Sequence, residues 1–69
     1  MKLILNGKNE TTSDGITVSQ LLVEKKIAQP DMVSVEVNDN MLNRDAFETT
    51  VLKDNDHVEF LFFMGGGAC

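Results

Sequence analysis

One helix pattern lies between short strand patterns, and this order leaves few folds open to the chain. Thr17-Val18-Ser19-Gln20 matches a capping box, in which the threonine hydroxyl and the glutamine side chain each accept a backbone N–H. The apolar residues that follow at helical spacing are Val18, Leu21, Leu22 and Ile27. The helix is predicted to end near Ala28, because Pro30 disfavours the α conformation at Gln29.

Strand and turn patterns occupy the rest of the chain. Leu3-Ile4-Leu5 ends at Asn6-Gly7, which predicts a tight hairpin because both turn residues tolerate positive φ. The other predicted elements are a polar strand at 8–12, a strand at 32–37, a turn at 38–40, a brief strand at 41–42, a helical turn at 44–47, a turn at 53–56 with positive φ at Asn55, and a last strand at 57–64. A hairpin, one helix and returning strands predict an α+β fold, with a mixed sheet of four to five strands and the helix across one face.

Alternation divides the last strand into two faces. Val58, Phe60, Phe62 and Met64 form the purely apolar set and are predicted to face the helix. Leu61 and Phe63 are then exposed on the open face of the sheet, where alternation also places Ile4. An exposed apolar patch is typical of a docking surface. The predicted docking patch comprises Ile4, Leu61 and Phe63, together with Met64 at the border of the tail.

Size and composition exclude several classes of protein. Sixty-nine residues are expected to make one small domain, and the net charge is −5 with scattered lysines and arginines, so nucleic-acid binding is not expected. No apolar stretch is long enough to span a membrane, and the start does not match a signal peptide, so we expect a soluble cytoplasmic protein. The single cysteine cannot form an internal disulfide.

The chain ends in Gly65-Gly66-Gly67-Ala68-Cys69, directly after an apolar run. Three consecutive glycines offer no side chain to a core and lose the most backbone entropy on ordering. We therefore predict a folded domain over 1–64 and a flexible tail over 65–69. Such a tail can enter a partner's active site where no side chain would fit.

Other chemistry is poorly supported by the sequence. The turn around Asp54 and Asp56 lacks the spacing, glycine and closing glutamate of a calcium loop, and His57 has no evident partner for a triad or a metal site. Cys69 could carry a persulfide or pair with another chain, but no adjacent Lys, Arg or His lowers the pKa of its thiol. We expect no catalytic residue of its own, no metal and no bound cofactor.

Taken together, the Leu3–Gly7 hairpin, the Thr17–Leu22 helix start, the Asp54–Asp56 turn, the hydrophobic last strand and the terminal glycines resemble a known family. The chain is similar to the ubiquitin-like β-grasp sulfur carriers, above all to the sulfur carrier of thiamine biosynthesis, ThiS. The resemblance covers nearly the whole chain, and only the glycines are specific to function. It implies a protein cosubstrate rather than an enzyme.

The resemblance also implies a mechanism and partners. An E1-like adenylyltransferase of ThiF type would use ATP to adenylate the C-terminal carboxylate of Gly67, with Gly65 and Gly66 threaded into that partner. A sulfur donor system would then convert the acyl-adenylate into a thiocarboxylate. A thiazole synthase of ThiG type would take the sulfur into the thiazole ring of thiamine. The alternatives are a carrier for molybdopterin or another sulfur-containing metabolite, and a β-grasp interaction module without covalent chemistry.

The sequence departs from the family pattern at its end. Mature carriers of this kind end in Gly-Gly, whereas Ala68-Cys69 follow Gly67 here. We therefore predict that a processing peptidase removes Ala68 and Cys69. Alternatively, the last two residues are tolerated or belong to the expressed form.

Overall fold

The computed structural model describes residues 1–28 and 30–62, which form one mixed sheet and one α-helix. The elements are strands β1 (Lys2–Leu5), β2 (Lys8–Thr11), β3 (Val33–Val37), β4 (Asn40–Met41) and β5 (His57–Phe62), helix α1 (Val18–Glu24), and 3₁₀ turns at Pro30–Met32 and Arg44–Ala46. The five strands lie in the order β2-β1-β5-β3-β4, and only β1 and β5 are parallel. The predicted mixed sheet is confirmed, with five strands.

Both hairpins turn through two residues with positive φ. Asn6 and Gly7 have φ of 51° and 82°, and Asn38 and Asp39 have φ of 51° and 69°. Such angles match the right-handed twist of the flanking strands, which is why Asn-Gly predicts a hairpin so well. The predicted positive φ of Asn55 is also confirmed, at 71°. The brief strand β4 begins one residue earlier than predicted.

Helix α1 begins where the sequence predicts and ends earlier. The Gln20 N–H donates to Thr17 Oγ1 at 3.2 Å, and the Thr17 N–H donates to Gln20 Oε1 at 2.8 Å, which completes the capping box. The helix ends at Glu24, so the predicted end near Ala28 is wrong. A left-handed residue, Lys26 at φ 58°, terminates it before Pro30 has any effect.

The hydrogen bonds at this end form a Schellman motif. The Lys26 N–H donates to the Val23 carbonyl at 3.0 Å, and the Ile27 N–H donates to the Leu22 carbonyl at 3.0 Å. Ile27, predicted to lie on the helix face, therefore lies beyond the helix and packs against the core from there. The sequence does not reveal this C-terminal end of α1, because a lysine occupies the position that glycine usually takes.

Lys26→Gly is expected to raise the free energy of unfolding by about 1 kcal/mol, because an L-residue is strained in the left-handed region and glycine is not. Urea unfolding monitored by circular dichroism measures the change. Lys25→Gly is the control and should destabilise the protein, since Lys25 has φ −87° and pairs with Glu10. A loss of stability in Lys26→Gly would contradict the Schellman motif.

The core lies between α1 and one face of the sheet. Its buried members are Leu3, Leu5, Ile16, Val18, Leu21, Leu22, Val33, Val35, Phe47, Leu52, Val58 and Phe60. Val58 and Phe60 thus face the helix side as predicted, whereas Phe62 is 55% exposed and its predicted packing is wrong. The seven-residue helix is about 10 Å long and β5 is about 20 Å long, so the helix cannot cover the whole strand.

Two ion pairs in the described part of the chain link peripheral segments to each other. Lys25 Nζ lies 2.8 Å from Glu10 Oε1, which links the end of α1 to the edge strand β2. The N-terminal ammonium lies 2.6 Å from Asp14 Oδ1. In each case hydrogen bonding and charge lower the pKa of the carboxyl group. Their contribution to stability is therefore present above the ordinary carboxyl pKa and is lost as the pH falls through the lowered value.

Candidate functional site

Strand β5 carries the chain from the core toward the glycine tail. Beside β1 its ladder stops at the pair Leu5–Val58, because β1 turns back into the hairpin. Beside β3 the ladder continues to the pair Val33–Phe62. The last residues of β5 therefore have a neighbouring strand on one side only. The predicted site residues Gly65, Gly66 and Gly67, and the neighbours Phe63, Met64, Ala68 and Cys69, lie outside the described residues.

The structure places two members of the predicted docking patch on the open face of the sheet. Ile4 is partly buried, and Leu61 is 42% exposed. Ile4 lies opposite His57, four positions before Leu61, so the two apolar side chains are separated by about 13 Å along β5. Glu59 lies between them. The open face is thus not one continuous apolar patch over its described part.

The middle of the open face is acidic. Glu36 and Glu59 are direct cross-strand partners, an arrangement that is unfavourable for like charges. A shallow depression of about 140 Å³ is lined by Ile4, Gly7, Glu36, Asp39, His57 and Glu59. In the described part of the chain neither glutamate has a basic side chain within ion-pair distance. This face is therefore suited to a partner that brings a cationic side chain.

A larger groove of about 610 Å³ lies between α1 and the two 3₁₀ turns. Its lining includes Arg44, whose guanidinium donates to the Pro30 carbonyl at 2.8 Å and the Val33 carbonyl at 3.3 Å. The guanidinium also lies 5.6 Å from the centre of the Phe47 ring. These contacts link the second 3₁₀ turn to the first and to the start of β3. The Arg44 guanidinium is therefore occupied by structural contacts.

The described residues offer little chemistry of their own. Over residues 1–28 and 30–62, no three His, Cys, Asp or Glu side chains lie close enough to hold a metal ion. Within the same ranges, no helix has the length and apolar character needed to cross a membrane. The open sheet face and the end of β5 are the candidate functional features of this part of the chain.

Known proteins share both the sequence and the fold. The sequence model of the ThiS family matches residues 3–67. The crystal structure of the thiamine biosynthesis protein ThiS from Geobacter metallireducens is 48% identical, with a TM-score of 0.87 over 97% of this chain and 100% of that chain. The chain belongs to the ThiS family. Its resemblance to the ubiquitin-like β-grasp sulfur carriers, predicted from the sequence, is thereby confirmed.

Other ThiS relatives extend the comparison. The solution NMR structure of the Geobacter metallireducens thiamine biosynthesis protein is 48% identical, with a TM-score of 0.82 over 97% of this chain and 88% of that chain. Thiazole synthase from Magnetococcus marinus is 36% identical over 67 residues, and thiazole synthase from Paramagnetospirillum magneticum is 32% identical over 68 residues. These matches cover 97% and 99% of this chain, which spans only 20% and 21% of the two relatives.

Sequence reasoning missed two exposed apolar side chains, one on the open sheet face and one at the end of β5. Met41 is 58% exposed and pairs with Glu36, and Phe62 is 55% exposed at the end of β5. The Met41 position follows from the register of the Asn38-Asp39 hairpin, so the signal was present in the sequence. The exposure of Phe62 depends on how far α1 reaches, which no local pattern reveals.

Proposed function

We propose that this chain is the sulfur carrier of thiamine biosynthesis and acts as a protein cosubstrate rather than an enzyme. The supporting observation is the match to the ThiS family, which extends to residue 67 and so includes all three terminal glycines. In the proposed reaction a Gly67 carboxylate oxygen attacks the α-phosphorus of ATP, and pyrophosphate leaves. Hydrosulfide supplied by the sulfur donor system then attacks the acyl carbon, AMP leaves, the S–H proton is lost to solvent, and a thiocarboxylate remains.

The glycines suit this chemistry for a steric reason. A carboxylate is a poor electrophile until an E1-like adenylyltransferase gives it AMP as a leaving group, and its carbon must approach the α-phosphate closely. Gly65 and Gly66 bring no Cβ into the path of the chain. Ordering each residue costs about 1–2 kcal/mol, which backbone hydrogen bonds and docking of the folded body must offset.

The acceptor of the sulfur is proposed to be a thiazole synthase. Two relatives named thiazole synthase each contain a region similar to nearly all of this chain within a polypeptide about five times as long. A carrier-like domain joined to a thiazole synthase supports a functional partnership between the two.

Docking is proposed to use Ile4 and Leu61, with Phe63 and Met64 beyond the described residues. Leu61→Gln is expected to raise the KM for adenylation about tenfold, because it places a polar amide in a contact that excludes water. The adenylyltransferase assay at varied carrier concentration measures the change. The control is Val23→Gln, on the helix side and 78% exposed. Equal effects of the two variants would contradict docking through the open face.

Maturation at Gly67 is part of the proposal. A peptidase would hydrolyse the Gly67–Ala68 peptide bond and release Ala-Cys, leaving the glycine carboxylate. Mass spectrometry of the C-terminal peptide from the native cell tests this step. A peptide ending at Gly67 is expected, and a thiocarboxylate carried on Cys69 would overturn it.

Loading itself is tested with the form that ends at Gly67. The protein is incubated with ATP, an E1-like adenylyltransferase and a sulfur source, and its intact mass is measured. We expect a mass gain equal to replacement of one oxygen by one sulfur, dependent on ATP. An unchanged mass with a partner shown to load another ThiS protein would instead favour an interaction module without covalent chemistry.

A further inference from the structure

The end of β5 is held on one side by a side chain in place of a strand. Beside β1, the last backbone bond to β5 runs from the Asn6 N–H to the Val58 carbonyl at 2.9 Å. Two residues further along β5, the Phe60 N–H donates to Asn6 Oδ1 at 2.9 Å, and these two residues are 54 positions apart in the sequence. The Asn6 side chain thus extends the sheet by one hydrogen bond past the point where β1 turns away.

We propose that Asn6 is a positioning residue for sulfur loading, which fixes the direction in which β5 delivers the tail. The inference rests on the proposed function. Beyond Phe60 only β3 flanks the strand, up to the pair Val33–Phe62. Gly67 lies five positions after Phe62, so the path of β5 at Phe60 sets the point from which the tail starts. Misplacement of a reacting group by about 1 Å can cost two orders of magnitude in rate.

The bond from the Phe60 N–H to Asn6 Oδ1 is partly buried, so water has limited access to this N–H. The residue is only 7% exposed, and a buried N–H without an acceptor is costly. Loss of Asn6 Oδ1 therefore favours opening of the segment from Phe60 to Phe62. A substitution at Asn6 itself removes no core side chain of β1 or β5.

Asn6→Gly removes the acceptor oxygen and keeps the turn, because glycine adopts the required φ of 51° without strain. Asn6→Asp restores an acceptor oxygen and also tolerates positive φ. The chain offers a matched control in Asn38, which has the same φ of 51° and accepts the His57 N–H on Oδ1 at 3.0 Å. Asn38 also donates through Nδ2 to Asp56 at 3.1 Å, so replacing Asn38 by glycine removes at least as many side-chain hydrogen bonds as replacing Asn6.

The experiment measures steady-state loading of Gly67-ending proteins and amide hydrogen exchange of the same proteins. For Asn6→Gly we expect kcat to fall about tenfold, and exchange at residues 60–62 to quicken about tenfold, as expected for one lost hydrogen bond. Asn6→Asp should recover most of kcat. Asn38→Gly should lower the melting temperature at least as much as Asn6→Gly, with kcat unchanged.

Two results would overturn the inference. One is a wild-type kcat in Asn6→Gly, and the other is an equal loss of kcat in Asn38→Gly, which would make the effect one of stability. Failure of the wild type to load would overturn the proposed function and with it the kinetic role of Asn6. A loaded wild type with an unaffected Asn6→Gly variant would overturn this inference alone.

Discussion

Deleting Gly66 and Gly67 from the form that ends at Gly67 is expected to abolish sulfur loading and leave the fold intact. The shortened chain cannot bring a carboxylate to the α-phosphate of ATP, because two residues of extended chain correspond to about 7 Å of reach. In the described part of the chain every buried core residue lies within residues 3–60, so the deletion removes none of these side chains. Intact mass after incubation with ATP, the adenylyltransferase and a sulfur source reports loading.

The control for this deletion is thermal unfolding of the two proteins. Their melting temperatures should agree, because the deletion leaves every described hydrogen bond in place. Full loading of the shortened form would show that reach is not limiting. Loss of folding would show that the glycines contribute to the body of the domain, and would contradict the separation of domain and tail.

Leu21→Ala is expected to lower the free energy of unfolding by about 3 kcal/mol, which lies within the range for truncating a buried leucine. Leu21 is 0% exposed and lies on the face of α1 that packs against the sheet. A domain of this size buries a small core, so a loss of this magnitude is a large part of its total stability. Denaturation in urea, with the midpoint and slope fitted together, gives the change.

The matched control for Leu21 lies two residues along the same helix. Val23 is 78% exposed, and Val23→Ala should change stability by less than about 0.5 kcal/mol. Together the two variants separate packing from helix propensity, since both place alanine in α1. Similar destabilisation by both variants would contradict the orientation of the helix on the sheet.

Features encoded by neighbouring residues could be predicted from the sequence. The Asn6-Gly7 hairpin and the Thr17–Gln20 capping box depend on residues within a few positions of each other, and both formed as expected. Alternation along β5 correctly placed Val58 and Phe60 in the core and Leu61 outside it. The order of the elements predicted the mixed sheet with one helix across it, and the family resemblance identified this arrangement as a β-grasp fold.

Features that depend on distant packing were missed. The early end of α1 requires Lys26 to accept a left-handed conformation that its residue type disfavours, and tertiary contacts of Ile27 accompany it. The hydrogen bond from the Phe60 N–H to Asn6 Oδ1 joins residues 54 positions apart and was not predicted, although the turn at Asn6 was. Phe62 was assigned to the core because alternation says nothing about the length of the covering helix.

The candidate site likewise contains some features that the sequence predicts and others that it does not. The open face and its exposed Leu61 followed from alternation, whereas the acidic pair Glu36 and Glu59 follows from the register between β3 and β5. Register depends on the whole sheet, so the sequence alone did not bring these two glutamates together. The reactive Gly67 comes from the family resemblance and stays a prediction.

The proposed carrier role is tested most directly by following the sulfur atom. The Gly67-ending protein is loaded with sulfur-34, purified away from the sulfur source, and given to a thiazole synthase with its remaining substrates. Mass spectrometry of the thiazole product should show the heavy isotope in proportion to the thiocarboxylate consumed. An unlabelled thiazole, formed while the labelled thiocarboxylate persists, would contradict the account.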